Sequence, residues 1–229
     1  TTKEGPITVN GTLAVKNGTI KDELGTARRW TIRVFGDNSI ATLELLEGAC
    51  IDSNADYGTI WAGKSNNATS VDARIIVRDG ATVKTGWLNL HAYTGAEVFI
   101  YGGNFINDVR SYTLHFEGND TFTAERYIYG GNFTANVTDK MWWTFADAKN
   151  VTITGGTFEA QLLTNQKAPV AVAPNHEIVE NSDGTYNLHY VMGINLFNDN
   201  LQYVGPNAGG TKDLADVLRH QITGGLGSY

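Results

Sequence analysis

The sequence predicts an all-β chain wound as a solenoid, on three observations. A phrase recurs as Ile100-Tyr101-Gly102-Gly103-Asn104-Phe105, Ile128-Tyr129-Gly130-Gly131-Asn132-Phe133 and Ile153-Thr154-Gly155-Gly156-Thr157-Phe158. A fixed apolar-x-Gly-Gly-polar-Phe unit returning at a near-constant interval marks a coiled repeat architecture. Between the phrases lies a second series of short β-branched or aromatic runs punctuated by Gly, Asn and Asp, which is strand-and-turn patterning. No stretch before residue 210 sustains a 3.6-residue period.

The phrase weakens towards the N-terminus without vanishing. Val15-Lys16-Asn17-Gly18-Thr19-Ile20, Leu45-Leu46-Glu47-Gly48-Ala49-Cys50-Ile51 and Val77-Arg78-Asp79-Gly80-Ala81-Thr82-Val83 keep the apolar ends and one Gly. The closing apolar residues Ile20, Ile51, Val83, Phe105, Phe133 and Phe158 then step by roughly 22 to 32 residues, one turn of a β-coil each. The opening at Thr1, without Met, reads as an entry in mid-rung, as in a trimmed or partial product.

Each rung must bend within about two residues while the next stacks about 4.8 Å away. Gly takes positive φ without penalty and lets backbones approach closely. Thr82, Asn104, Asn132 and Thr157 follow at equivalent positions, so a hydrogen-bonded ladder is expected there. The second series comprises Thr31–Gly36, Thr59–Gly63, Leu88–His91, Thr113–Phe116 and Trp142–Phe145.

Composition is compatible with this reading. The chain has 229 residues, 26 Gly, 4 Pro and 41% hydrophobic residues, enough for a core and neither collagen-like nor disordered. A formal net charge of −7 with scattered basic residues argues against nucleic acid or an anionic membrane as partner. No run approaches the roughly 18 apolar residues of a spanning helix. Cys50, the single cysteine, has no internal disulfide partner and is expected as a small buried thiol beside Ile51.

The Gly-Gly-Asn/Thr-Phe repeats, with Asn150-Val151-Thr152-Ile153-Thr154-Gly155-Gly156-Thr157-Phe158 as the fullest example, resemble the rungs of right-handed parallel β-helices of the pectate-lyase-like kind. Such repeats are familiar from bacterial cell-surface and phage virion-surface proteins, and the resemblance covers about residues 5 to 165. It extends to His176–Leu188, which resembles the hairpin that follows the last rung in such proteins. Asp183-Gly184 between alternating runs is independently a hairpin signal. Such a hairpin would cover strand edges that otherwise polymerise.

Three regions are expected: a parallel β-helix over 1–165, a β-hairpin cap over 166–192, and a linker with a short helix and tail over 193–229. The helix is expected after Thr211, with Leu214, Val217, Leu218 and Ile222 on one face. A helix of about ten residues does not stand alone, so it would dock on the coil or on another subunit.

The resemblance poses the enzyme question. Pectin-type hydrolases of this fold need clustered aspartates, a Gly-His-Gly turn and an Arg-x-Lys pair, and none occurs here. Glycoside hydrolysis in general needs two carboxylates at fixed separation, and no such pair recurs. A lyase needs a base and often a Ca²⁺ site. The best acidic set, Asp52, Asp56, Asp72 and Asp79, is expected as solvated turn carboxylates. His91 and His115 fall in corresponding strands and suggest a stacked pair for proton transfer or metal binding. With no third ligand in phase, a solvated or hydrogen-bonded position is expected instead, and no catalytic residue, cofactor or bound metal is assigned.

Binding has better candidates. Tyr101 and Tyr129 share an outward position, with Arg78 at a related place, and aromatic rings beside polar groups suit the C–H faces and hydroxyls of sugars. They are the expected ligand-binding residues, although outward Tyr pairs also serve merely to shield a sheet. Trp142-Trp143 must send one ring outward, so these two, with Leu214, Val217 and Leu218, are the expected assembly surface. Trp30, Trp61 and Trp87 are expected in the core or at coil corners. Seven Asn-x-Ser/Thr sites (Asn10, Asn17, Asn67, Asn119, Asn132, Asn136, Asn150) exceed the roughly three expected by chance, and several belong to the repeat itself.

The expected function is a non-catalytic structural or adhesive module, extracellular on a cell or virion surface. It would act in assembly with identical subunits or a larger structure, and in glycan or receptor binding. The alternative is a carbohydrate-active lyase or hydrolase.

Overall fold

In the computed structural model the repeated unit is a rung of three strands. The structure describes residues 7–22, 30–55, 57–85, 87–107, 112–135, 143–159, 172–190, 202–203 and 212–213. The first rung is β1 (Ile7–Val9), β2 (Thr12–Val15) and β3 (Thr19–Asp22); the second is β4 (Trp30–Val34), β5 (Ala41–Leu45) and β6 (Cys50–Ser53). Then come β7 (Gly58–Ala62), β8 (Ala73–Val77) and β9 (Thr82–Thr85), followed by β10 (Leu90–Ala92), β11 (Ala96–Ile100) and β12 (Asn104–Asn107). The last two rungs are β13 (Tyr112–Phe116), β14 (Arg126–Ile128), β15 (Asn132–Ala135) and β16 (Trp143–Ala148), β17 (Val151–Ile153), β18 (Thr157–Phe158).

Every third strand pairs in parallel, giving two six-stranded sheets and a third of eight strands. The first sheet runs β1-β4-β7-β10-β13-β16, the second β2-β5-β8-β11-β14-β17, and the third begins β3-β6-β9-β12-β15-β18. The chain is thus an all-β parallel solenoid, as the repeat predicts. Among the described residues there is no helix.

The recurring phrase is two strands and the corner between them. Ile100 ends β11 and Asn104 opens β12, so Gly102-Gly103 turns the chain from the second sheet into the third. The two glycines do different work. Gly103 has φ 94°, which side chains resist, whereas a Cβ on Gly130 would lie 2.7 Å from the Tyr101 carbonyl oxygen of the rung beneath.

Alternation fills the interior. Phe105, Phe133 and Phe158 are fully buried and form one column, with centroids 4.9 and 4.5 Å apart and planes 13° and 3° from parallel. Val83 and Ile51 continue that column by register. On the opposite side of the third sheet Thr82, Asn104, Asn132 and Thr157 are in register, and Asn132 Nδ2 donates to Asn104 Oδ1 at 3.0 Å, so the expected ladder exists. Cys50 belongs to this outer row, paired with Thr19 and Thr82. It is half-buried rather than the buried thiol expected, because Ile51 takes the inward place.

Several buried polar side chains donate to backbone carbonyls. Asn89 Nδ2 donates to the Val83 and Ile106 carbonyls, and Asn107 Nδ2 to those of Trp87 and Tyr112. Arg126 occupies a core position between Val98 and Val151. It is 1% exposed, and its guanidinium donates to the carbonyls of Ala96, Tyr93 and Lys149.

The expected hairpin is present as β19 (His176–Glu180) and β20 (Tyr186–Tyr190). Gly184 takes φ 82° in its turn, where Gly184 N donates to the Asn181 carbonyl. β20 adds antiparallel to β18, covering the edge of the third sheet. Chain contacts divide the molecule into Thr1–His189, which holds coil and hairpin together, and Tyr190–Tyr229. In the second unit β21 (Gln202–Tyr203) pairs antiparallel with β22 (Lys212–Asp213). Residues 212 and 213 are therefore strand, where the sequence predicts the first turn of a helix. Leu214, Val217, Leu218 and Ile222 lie outside the described residues, as do Trp142, Asp56 and Asn136.

Candidate functional site

The solenoid presents two aromatic surfaces on different sheets. One follows the second sheet, where residues just beyond each strand bond to the rung before: Arg78 N to the Leu45 carbonyl, Tyr101 N to that of Val77, Tyr129 N to that of Ile100 and Thr154 N to that of Ile128. This regularity stacks Tyr101 on Tyr129, with centroids 5.0 Å apart and planes 13° from parallel. Both tyrosines are 42% exposed.

Arg78 joins them. Its Cζ lies 4.5 Å from the Tyr101 ring centroid, a cation–π distance, while its Nε donates to Glu44 Oε1 at 2.9 Å. The ion pair holds the guanidinium beside the ring. Phe99 and Tyr127 extend the surface: Phe99 stacks on Tyr127 at 5.9 Å, and Tyr127 on Tyr129 at 5.7 Å and 8°. Partial burial, with Tyr101, Tyr127 and Glu125 nearby, pushes the Tyr129 hydroxyl above its ordinary value, so it stays a neutral donor. A groove of about 450 Å³ lined by Lys16, Glu47, Arg78, Asp79 and Tyr101 adjoins the row. The structure thus brings together all three residues that the sequence singled out for binding.

The second surface was legible in the sequence only in the pairing of His91 with His115. On the outer side of the first sheet Arg33, Trp61, His91 and His115 are in register on successive rungs. Trp61 faces outward, since its neighbours Ile60 and Ala62 fill the core, yet it is 8% exposed. Trp30, Tyr57 and Tyr93 pack around it at 5.2, 6.3 and 5.5 Å, and His91 at 4.1 Å. Trp61 is therefore a lateral-face residue, not the core or corner residue expected, whereas Trp30 and Trp87 stand at strand entries as corners do. Trp30, Arg33, Tyr57, Trp61, Lys64 and Tyr93 line a groove of about 390 Å³. Its rim is braced by Asp72, whose Oδ2 accepts from Lys64 N at 2.9 Å. Burial raises the Asp72 pKa, so this residue is not the solvated turn carboxylate expected.

Beside this groove the His91 and His115 rings stack at 4.3 Å and 29°. Glu117 follows His115 on the same face of the strand line, and its Oε1 lies 2.6 Å from His91 Nε2 and 3.7 Å from His115 Nε2. A third group in phase thus exists where none was expected, and the His-x-Glu spacing was its sequence signal. Burial, then the neighbouring His91, lowers the His115 pKa to about 4. Burial pushes Glu117 up, but the hydrogen bond from His91, the charges of both imidazoles and the Asn66 side chain outweigh it and leave the carboxyl below its ordinary value. An ionised carboxylate only accepts, so His91 Nε2 carries the proton, and the buried Nδ1 is left without a partner. The donor atoms of His91, His115 and Glu117 lie within 4.8 Å of one another.

The remaining candidates divide. Trp143 lies in β16, and Trp142 lies outside the described residues. Asp52 is half-buried, and Asp79 is exposed beside Arg78 and Tyr101 in the groove of the second sheet.

Fold and lateral faces together define the chain as a parallel β-solenoid repeat protein. Compared with protein-family models, with curated proteins and with solved structures, it has no match.

Proposed function

We propose that this chain is a non-catalytic surface module of the right-handed, pectate-lyase-like β-helix kind, displayed outside a cell or on a virion, that recognises a glycan through the lateral face of its second sheet. The observation that carries the reading is the Arg78–Tyr101–Tyr129 array, two exposed and nearly parallel tyrosine rings with a guanidinium against the first, from successive rungs. Sugar C–H faces pack on such rings while hydroxyls take hydrogen bonds from tyrosine and arginine. A stacked solenoid presents the rings at a fixed spacing, so little conformational entropy is lost on binding. Attachment to identical subunits or to a larger assembly completes the proposal.

A glycan-array screen of the full chain, repeated with Tyr101→Ala/Tyr129→Ala, tests the reading. Binding that the double substitution abolishes supports it. Binding that survives there but is lost in Tyr57→Ala moves recognition to the groove of the first sheet, and the absence of any glycan binding removes the proposal.

One observation favours a second reading, a carbohydrate-active enzyme: three ionisable groups, His91, His115 and Glu117, converge beside the aromatic groove. Incubation with a panel of oligosaccharides separates the readings, because only the enzyme shortens them.

A further inference from the structure

We propose that His91, His115 and Glu117 form a binding site for a borderline divalent cation of the zinc type. The site is a product of the coil. Parallel in-register pairing places His91 and His115 side by side on β10 and β13, and period-two alternation returns the chain to the same side at Glu117. Three ligands from two rungs then converge, although only His115 and Glu117 are neighbours in sequence.

The distances suit one ion. Zinc binds imidazole nitrogen at about 2.0–2.1 Å and carboxylate oxygen at about 2.0–2.2 Å, so tetrahedral ligand atoms stand about 3.4 Å apart. Here the two nitrogen-to-carboxylate distances are 2.6 and 3.7 Å, one shorter and one longer than that edge. A single swing of the Glu117 carboxylate away from His91 and towards His115 moves both in the required direction. Both Nε2 atoms lie within 3.7 Å of the same carboxylate oxygen, and the ligand atoms of all three residues lie within 4.8 Å of one another. In the metal-bound form the His91 proton moves from Nε2 to Nδ1, and the ion replaces the hydrogen bond that Glu117 gives up.

Two imidazoles and one carboxylate select zinc, cobalt, nickel or copper over the hard ions magnesium and calcium, which prefer all-oxygen sets. Rigidity adds selectivity. His91 is clamped between Trp61 at 4.1 Å and His115 at 4.3 Å, so the imidazoles are held in place without the ion and only the Glu117 carboxylate moves. Three protein ligands leave a coordination position for water, and because Trp61 and Tyr93 both pack on His91 and line the groove, the ion would sit at the groove's margin.

The test is titration of the full chain, stripped of metal by chelation, with Co²⁺, read by visible ligand-field bands and by the imidazole NMR signals. The expected result is one Co²⁺ per chain with intense low-coordination bands, displaced by Zn²⁺ but not by Mg²⁺ or Ca²⁺. His91 and His115 resonances should shift together, and binding should weaken at least tenfold in Glu117→Gln and in His115→Gln. Absence of bands, or bands that persist undiminished in both variants because the ion sits on other histidines, overturns the site. If neither variant folds, the NMR of the unmodified chain decides by whether these two imidazoles respond.

Discussion

Tyr101 and Tyr129, one coil apart in sequence, stand 5.0 Å apart with rings 13° from parallel, both in solvent. Phe105 and Phe133, four residues further along each rung, repeat nearly the same geometry at 4.9 Å and 13° inside the core. One backbone spacing thus builds an exposed and a buried column, and only the buried one secures the fold.

Phe133→Ala is therefore expected to cost about 3–5 kcal/mol, the transfer and cavity cost of a buried ring. Tyr129→Ala is expected to cost no more than about 1.5 kcal/mol, the stacking contribution of an exposed aromatic pair. Urea midpoints of the two variants should separate clearly, and equal losses would contradict the division between columns.

Gly130 and Gly184 test space against backbone. Alanine at Gly184 meets nothing within 4 Å but must hold φ 82°, a cost of about 1–2 kcal/mol. Alanine at Gly130 places its Cβ 2.7 Å from the Tyr101 carbonyl, so two rungs must part and about 1–3 kcal/mol is lost through overpacking. Thermal melts should show a loss in both variants, whereas any Tyr101-dependent binding, measured separately, should be kept in Gly184→Ala and lost in Gly130→Ala.

Arg126→Met should be costly despite its similar length. It removes the guanidinium donor from the carbonyls of Ala96, Tyr93 and Lys149 at once; Tyr93 keeps its bond from Ala96 N, and each buried group left unsatisfied costs about 1–3 kcal/mol. A variant as stable as the parent would show that water reaches these carbonyls.

Acid should weaken the coil through His115. Its pKa falls from 6.5 to about 4 on folding, so the unfolded chain takes up the proton first. The stabilisation is complete above pH 6.5 and is lost as pH falls towards 4, to a total of about 3 kcal/mol. Glu117, whose folded pKa is lowered from 4.5, adds a loss of the same sign as pH falls below its ordinary range. Urea unfolding in the presence of a chelator at about pH 7 and about pH 4.5 measures the sum, and His115→Asn should flatten the profile between them.

Much of the coil was legible because its causes are local. Gly-Gly followed by a polar residue and Phe states the corner and the direction of the side chains that follow it, and the Asn104–Asn132 ladder and the Tyr101–Tyr129 row are consequences of repetition. Cys50 faces outward where the sequence suggests burial, because in a strand a single residue separates inside from outside.

What the sequence determined by itself was the solenoid, its corner between the second and third sheets and the row of exposed tyrosines, since each depends on backbone preference and a repeat length that can be read along the chain. Only the tertiary structure decided that Trp61 is buried on an outward face and that Glu117 completes a group with His91 and His115. Burial on a lateral face depends on which side chains arrive from neighbouring rungs and on the loop carrying Lys64, and rungs of unequal length conceal that register until the coil is closed.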